Sequence, residues 1–289
     1  MARRRTETML VTRVATGHIN DGPRVRQPDQ LIVEEPMSIR LDGAPVTTTM
    51  RTPGHDYELA VGFCLTEGVL SGAPVLGVRY CADGSAVSSG FNVVTVETGG
   101  RAPAFTPRLG LTSTSCGLCG SDSIDTLCER LDPLDPRAVT RFNIESFPDM
   151  CRNVLRRQDL FTTTGAVHGA AAFDADGHVI VTREDVGRHN AVDKVIGRLL
   201  LDGRLPATGL GLFVSGRSSF EMVQKAWAAG FGVLLSVSAP TALAVETARR
   251  ANLMLAGFVR DNHLNVYSPE RLPTPAASTA SVLSESLNS

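Results

Sequence analysis

From Val167 to Tyr267 short apolar runs alternate with helix-length stretches, and this alternation constrains the fold more than any other feature of the chain. Val167–Asp174 and His178–Glu184 flank an Asp176-Gly177 turn and predict a hairpin. Asn190–Leu201, Ser219–Ala229 and Thr241–Ala251 carry apolar residues at helical spacing. Leu210–Ser215, Val233–Val237, Met254–Arg260 and Asn265–Tyr267 read as strands. Strands that alternate with helices form a sheet covered on both faces. The second half is therefore expected to be a three-layer α/β domain with a largely parallel centre and an antiparallel edge.

The first half is less regular. Residues 1–30 are rich in Arg, Gly, Pro and Asp with little periodicity, which predicts a flexible lead-in. Leu31–Leu41 and Val46–Thr52 read as strands joined at Asp42-Gly43. Asp56 is the expected N-cap of a helix over Tyr57–Leu70, where Leu59, Ala60, Phe63 and Cys64 share a face. Val75–Tyr80 and Asn92–Glu97 supply two more strands, so residues 31–105 are expected to form a small α+β domain. Residues 106–140 read as a linker carrying Cys116-Gly117-Leu118-Cys119, with helical character resuming over Ser121–Leu131. Residues 141–272 are assigned to the α/β domain, beginning with a helix near Ser146–Gln158 that has Pro148 in its first turn. The Ser/Thr/Ala-rich residues 273–289 are expected to be a disordered tail.

Bulk properties exclude several function classes. A net charge of −2 gives no global reason to expect nucleic acid or an anionic membrane surface. No apolar run approaches a membrane span, and Arg3-Arg4-Arg5 is not followed by the apolar core of an export signal. Six cysteines in 289 residues, only two of them closely spaced, do not make a disulfide framework and point to a reducing cytoplasm. Cys64, Cys81, Cys128 and Cys151 read as ordinary small apolar residues.

Cys116 and Cys119, each followed by a glycine, stand just ahead of a helical pattern. A cysteine is a nucleophile only as its thiolate, and a place near a helix start favours that form. Gly117 and Gly120 let the backbone present both sulfurs. Three chemistries fit: sulfur transfer, structural zinc and thioredoxin-like exchange. Zinc needs two further ligands, for which Cys128, His168 or His189 would have to fold back. Thiol exchange of the thioredoxin kind expects the pair after a strand, whereas here a Gly/Pro/Thr-rich run precedes it. A zinc nucleobase deaminase is excluded, because His168-Gly169-Ala170 lacks the glutamate of H-x-E and the cysteines come before the histidine.

Downstream, polar residues gather where strands meet helices. His168 opens a strand among small residues that leave room for a ligand, although a core histidine has the same appearance. Arg183-Glu184-Asp185-Val186-Gly187-Arg188-His189-Asn190 is dense in hydrogen-bonding groups for a plain connection. Ser215-Gly216-Arg217-Ser218-Ser219-Phe220-Glu221 joins a strand to a helix start and offers free amides, a guanidinium and hydroxyls to an anion. Ser218 and Glu221 also have capping-box spacing. Ser238-Ala239-Pro240-Thr241 repeats the arrangement at the next junction. In an open α/β sheet such junctions share one edge, which predicts a cleft for a phosphorylated or otherwise anionic ligand. No G-x-G-x-x-G or P-loop is present.

These segments, together with Gly165-Ala166-Val167-His168, the run Arg183 to Lys194, and Glu221-Met222-Val223-Gln224-Lys225-Ala226, resemble the FdhD family of formate dehydrogenase accessory sulfurtransferases. The resemblance spans about Leu31 to Leu272. It implies a larger domain of cytidine-deaminase-like fold without zinc chemistry and with no catalytic metal of its own. It implies that sulfur passes from a cysteine desulfurase to Mo-bis(molybdopterin guanine dinucleotide), for the catalytic subunit of formate dehydrogenase. By the family pattern Cys116 would carry the persulfide, with Cys119 as its partner. The cofactor segment maps onto Phe258, Val259, Arg260, Asp261, Asn262 and His263. His168, Arg188, His189, Arg217 and Ser218 are further candidates for binding the cofactor, and a homodimer is implied.

Overall fold

The computed structural model describes residues 3–15, 24–81, 86–87, 89–105, 125, 127–137, 142–260 and 263–269. Cys116, Cys119, Asp261, Asn262 and the 273–289 tail lie outside the described residues.

The expected alternation is present in the second half. Strands β7 (His168–Phe173) and β8 (Val179–Asp185) form the predicted hairpin. They are followed by α4 (Arg188–Leu201), β9 (Gly211–Val214), α5 (Phe220–Ala229), β10 (Val233–Ser236), α6 (Ala242–Arg250), β11 (Met254–Gly257) and β12 (Asn265–Ser268). The six strands lie in the order β12-β11-β10-β9-β7-β8. β9, β10 and β11 are parallel, while β12 and the β7–β8 hairpin run antiparallel to their neighbours.

Side chains alternate across this sheet with the strand period of two. Ala170, Ala172, Leu212, Val214, Leu234 and Leu255 face the core formed with α4, α5 and α6. Ala171, Phe173, Phe213, Val233, Leu235, Met254 and Ala256 face the opposite core, against Phe147, Met150 and Val154 of α2 (Phe147–Arg156). Three layers result. A short helix α3 (Asp159–Thr164), absent from the sequence reading, links α2 to β7.

The smaller unit pairs β3 (Glu35–Leu41), β4 (Ala44–Arg51), β5 (Gly77–Tyr80) and β6 (Val93–Glu97) in the order β4-β3-β6-β5. Met37, Ile39, Val94 and Val96 pack on Leu59, Ala60, Phe63 and Cys64 of α1 (Asp56–Thr66), the helical face read from the sequence. The N-cap of α1 is His55 rather than Asp56. The Asp56 carboxylate is drawn instead to Arg51, whose Nε and Nη2 each lie 3.0 Å from it.

The lead-in expectation requires correction. Residues within 1–30 form β1 (Thr6–Val14), which pairs antiparallel with β2 (Arg24–Ile32) as a separate two-stranded ribbon. Most of its side chains are exposed on both faces, so no apolar alternation marks it in the sequence.

Helices α1 and α4 join the two units at a very close crossing. A Cβ at Gly62 would lie 1.9 Å from the Asp193 carbonyl oxygen, and one at Gly197 would lie 1.8 Å from that of Glu58. Only hydrogen fits at either point. Gly197→Ala is expected to push the helices apart and to cost about 1–3 kcal/mol of stability, read as a lower urea midpoint. An unchanged midpoint would mean the crossing does not matter.

Candidate functional site

The parallel strands β9, β10 and β11 end at one edge of the sheet, and the antiparallel hairpin brings the start of β7 and the end of β8 to the same place. The helices α4, α5 and α6 therefore begin there, with their free N–H groups at this edge. The connecting loops are joined side by side. Ser218 and Pro240 form a parallel bridge, Thr241 N donates to the Ser218 carbonyl at 3.0 Å, and Phe258 N donates to that of Ser238 at 3.2 Å. Gly257 is needed at this seam, since a Cβ there would meet the Ser238 carbonyl oxygen at 2.7 Å.

Four of the residues singled out in the sequence gather at this edge. His168 Nδ1 and Arg188 Cδ each lie 3.6 Å from the position a side chain at Gly216 would start from, so the ring and the arginine stem converge over that glycine. His189 Nε2 lies 3.9 Å from Glu221 Oε2, an ion-pair separation rather than a hydrogen bond. Ser218 is fully buried. Its Oγ and the buried Nε of Arg188 have no hydrogen-bond partner among the described residues. Buried polar atoms are almost always paired, which makes these two atoms candidates for contact with a ligand.

The electrostatics fit an anionic guest. Burial lowers the pKa of His168, and the neighbouring Arg188 and His189 lower it further, which favours the neutral ring. Beside it stand the Arg188 guanidinium and the start of α5, whose dipole favours negative charge. Glu221 is held at about 2 by His189 and by a 2.6 Å hydrogen bond from Ser219 Oγ, so it stays ionised as a partner for His189.

Other assignments change. Most of the Arg183–Lys194 run serves as a junction between the two units. Arg183 donates to both Glu58 oxygens at 2.5 and 2.8 Å. Glu184 stays within the larger unit, accepting from the Leu160 and Phe161 amides of α3. Asp185 pairs with Lys194 at 2.7 Å and accepts from Thr52 N at 3.1 Å. Asn190 Nδ2 donates to the Met50 carbonyl at 2.7 Å. Of that run, Arg188 and His189 are the two that belong to the cleft.

The Ser218–Glu221 capping box does not form. Ser219 is the N-cap of α5, without a side-chain cap bond, and Glu221 turns to His189 and Ser219 instead. At the next junction Thr241 does cap, accepting from Ala244 N. Arg217 is exposed. In the mapped cofactor segment, Val259 is buried in the core against α2 and its side chain is closed to a ligand. Phe258, at φ 52, and Arg260 and His263 are exposed beside the seam. Arg260 Nη1 donates to the Val237 carbonyl at 2.8 Å. Glu221 is the site residue that sequence reasoning missed, because its capping-box spacing gave it a local role.

The cysteines also divide. Burial pushes the thiols of Cys64 and Cys151 up to about 12, and Cys81 is buried as well. Cys128, read like the others as an ordinary small apolar residue, is exposed.

The Glu58 contact gives a pH prediction. Burial would raise its carboxyl, but hydrogen bonds from Arg183 and His55 override this and hold it at about 2, against an ordinary 4.5. A depressed carboxyl stabilises the fold fully above its unfolded value, and that stability is lost as pH falls toward the folded one. Thermal stability should therefore fall between pH 4.5 and 2. Glu58→Gln should have a flatter profile across that window, and identical profiles would contradict the assignment.

The fold is that of an α/β protein whose polar sheet edge gathers His168, Arg188, His189 and Ser218. The chain belongs to the FdhD/NarQ family, whose profile matches residues 32–273. It is 44% identical over 267 residues to the sulfur carrier protein FdhD of Mycolicibacterium paratuberculosis, covering 90% of this chain and 97% of that one. It is 46% identical over 261 residues to that of Streptomyces avermitilis, covering 87% and 92%. A crystal structure of a proposed formate dehydrogenase accessory protein from Desulfotalea psychrophila superposes with a TM-score of 0.70 at 23% identity, covering 93% of this chain and all of that one. At that identity the likeness concerns the fold.

Proposed function

We propose that this chain is a sulfurtransferase that accepts sulfur from a cysteine desulfurase as a persulfide on Cys116. It then delivers the sulfur to Mo-bis(molybdopterin guanine dinucleotide) for the catalytic subunit of formate dehydrogenase. The observation that carries the reading is the near full-length similarity to sulfur carrier proteins, which spans the Cys116–Cys119 pair. The cleft supports it. The dinucleotide substrate is rich in phosphate, and the Arg188 guanidinium, the orphan Ser218 hydroxyl and the start of α5 suit such a guest.

The loading step is a displacement like thiol–disulfide exchange. The Cys116 thiolate attacks the outer sulfur of the donor's persulfide, the donor S–S bond breaks, and the donor cysteine leaves as its thiolate. No electrons are gained or lost overall. Releasing the sulfur as hydrosulfide takes two electrons. Cys119 supplies them by attacking the inner sulfur of Cys116, which leaves a Cys116–Cys119 disulfide. In this reading the protein works as a homodimer in the reducing cytoplasm, where its sparse cysteines stay free.

Complementation tests the reading. Cells that lack the endogenous protein and carry Cys116→Ala should show no formate dehydrogenase activity. Activity at the wild-type level would instead make the chain a cofactor-binding chaperone that carries no sulfur.

A further inference from the structure

We propose that the cavity between the carboxyl half of α4 and edge strand β8 is a second anion site, shaped for a phosphate group. It encloses about 390 Å³ and is lined by Arg157, Thr182, Arg183, Arg198, Asp202 and Arg204, with Leu199 among its apolar residues. The site is distinct from the cleft. Arg198 stands ten residues beyond Arg188 on α4, roughly 15 Å away at the helical rise.

The charge in the cavity is unbalanced. Arg183 is neutralised by Glu58, and Arg198 is shared between Asp202 at 2.8 Å and Glu58 at 4.0 Å. Among the described residues the Arg157 guanidinium meets only a backbone carbonyl, that of Val179 at 3.4 Å, and the Arg204 guanidinium has no partner. Four guanidiniums thus stand against two carboxylates. The carboxyl end of α4 adds roughly half a negative charge, which the two surplus guanidiniums exceed. The Thr182 hydroxyl is buried and unpaired at the same place.

The guanidiniums come from the end of α2, from β8, from α4 and from the turn after it, so their donors converge from several directions. A tetrahedral phosphate accepts from several directions, and the arginine fork matches its oxygens. A further planar carboxylate would only repeat the pairing that Glu58 and Asp202 already provide. A cavity of this size is in the small-molecule range of roughly 300–1,000 Å³.

Calorimetric titration of the full chain with inorganic pyrophosphate tests the site, in an Arg188→Gln background that weakens the cleft. Saturable binding is expected, weakening as salt rises. Adding Arg157→Gln and Arg204→Gln should reduce the affinity about tenfold. Both positions are exposed, so the fold should survive, which circular dichroism checks. No saturable binding in the Arg188→Gln background, or equal affinity with and without the two further substitutions, would overturn the proposal.

Discussion

Asp193→Asn is expected to destabilise this protein by about 3–5 kcal/mol, the usual cost of removing one partner from a buried ion pair. Asp193 on α4 and Lys225 on α5 are both almost wholly buried. Lys225 Nζ lies 2.9 Å from each Asp193 oxygen, 3.1 Å from Glu67 and 2.8 Å from Thr66 Oγ1. The Thr66 hydroxyl in turn donates to Asp193 at 2.9 Å, and Lys225 stands 5.5 Å from the Phe63 ring centre. Burial opposes the ammonium charge, but Asp193 and Glu67 outweigh it and raise the Lys225 pKa above the usual lysine range. Asparagine keeps the shape and removes the charge, so the buried lysine would keep Glu67 and the neutral Thr66 hydroxyl but lose its closest counter-charge. Because the cluster ties α1 to α4 and α5, the loss should appear as one cooperative transition at lower denaturant. Adding Lys225→Met should recover part of it, since the stranded charge is then gone. A cost below about 1 kcal/mol for Asp193→Asn would show that the cluster does not hold the two units together.

The same cluster shows how far the sequence could be read. The three-layer half was legible because its strands and helices have strong local periods, and the edge that gathers His168, Arg188 and Ser218 followed from their order. The division of labour within Arg183–Lys194 was not legible. Thr52, Met50 and Glu58 lie more than 120 positions away, and only the folded chain reveals that Asp185, Asn190 and Arg183 serve them. Local density of polar groups looks the same whether it serves a junction or a ligand. The β1–β2 ribbon escaped for another reason. Strand patterns are recognised by a buried face, and this ribbon exposes both. Val259 was placed in the ligand segment by resemblance, yet it fills the core against Phe147 and Met150.

The largest functional effect is expected at Cys116. The other cysteines narrow the choice of sulfur carrier. Cys64 and Cys151 have thiols pushed up to about 12 by burial, so they hold almost no thiolate at neutral pH. Cys81 is buried too, and exposed Cys128 serves as the control for indiscriminate modification. Sulfur loading should therefore fall on the C-x-x-C pair, and within it on Cys116. Cys119→Ser should still load but release little hydrosulfide, since in the proposed release step the second thiol supplies the two electrons.

The most direct test is intact-protein and peptide mass spectrometry after incubation with a cysteine desulfurase and free cysteine. One added sulfur is expected on the Cys116 peptide, removed by a thiol reductant and absent from Cys116→Ser. An unloaded Cys116 in the wild-type protein, or equal loading of Cys128 and Cys116, would contradict Cys116 as the sulfur carrier.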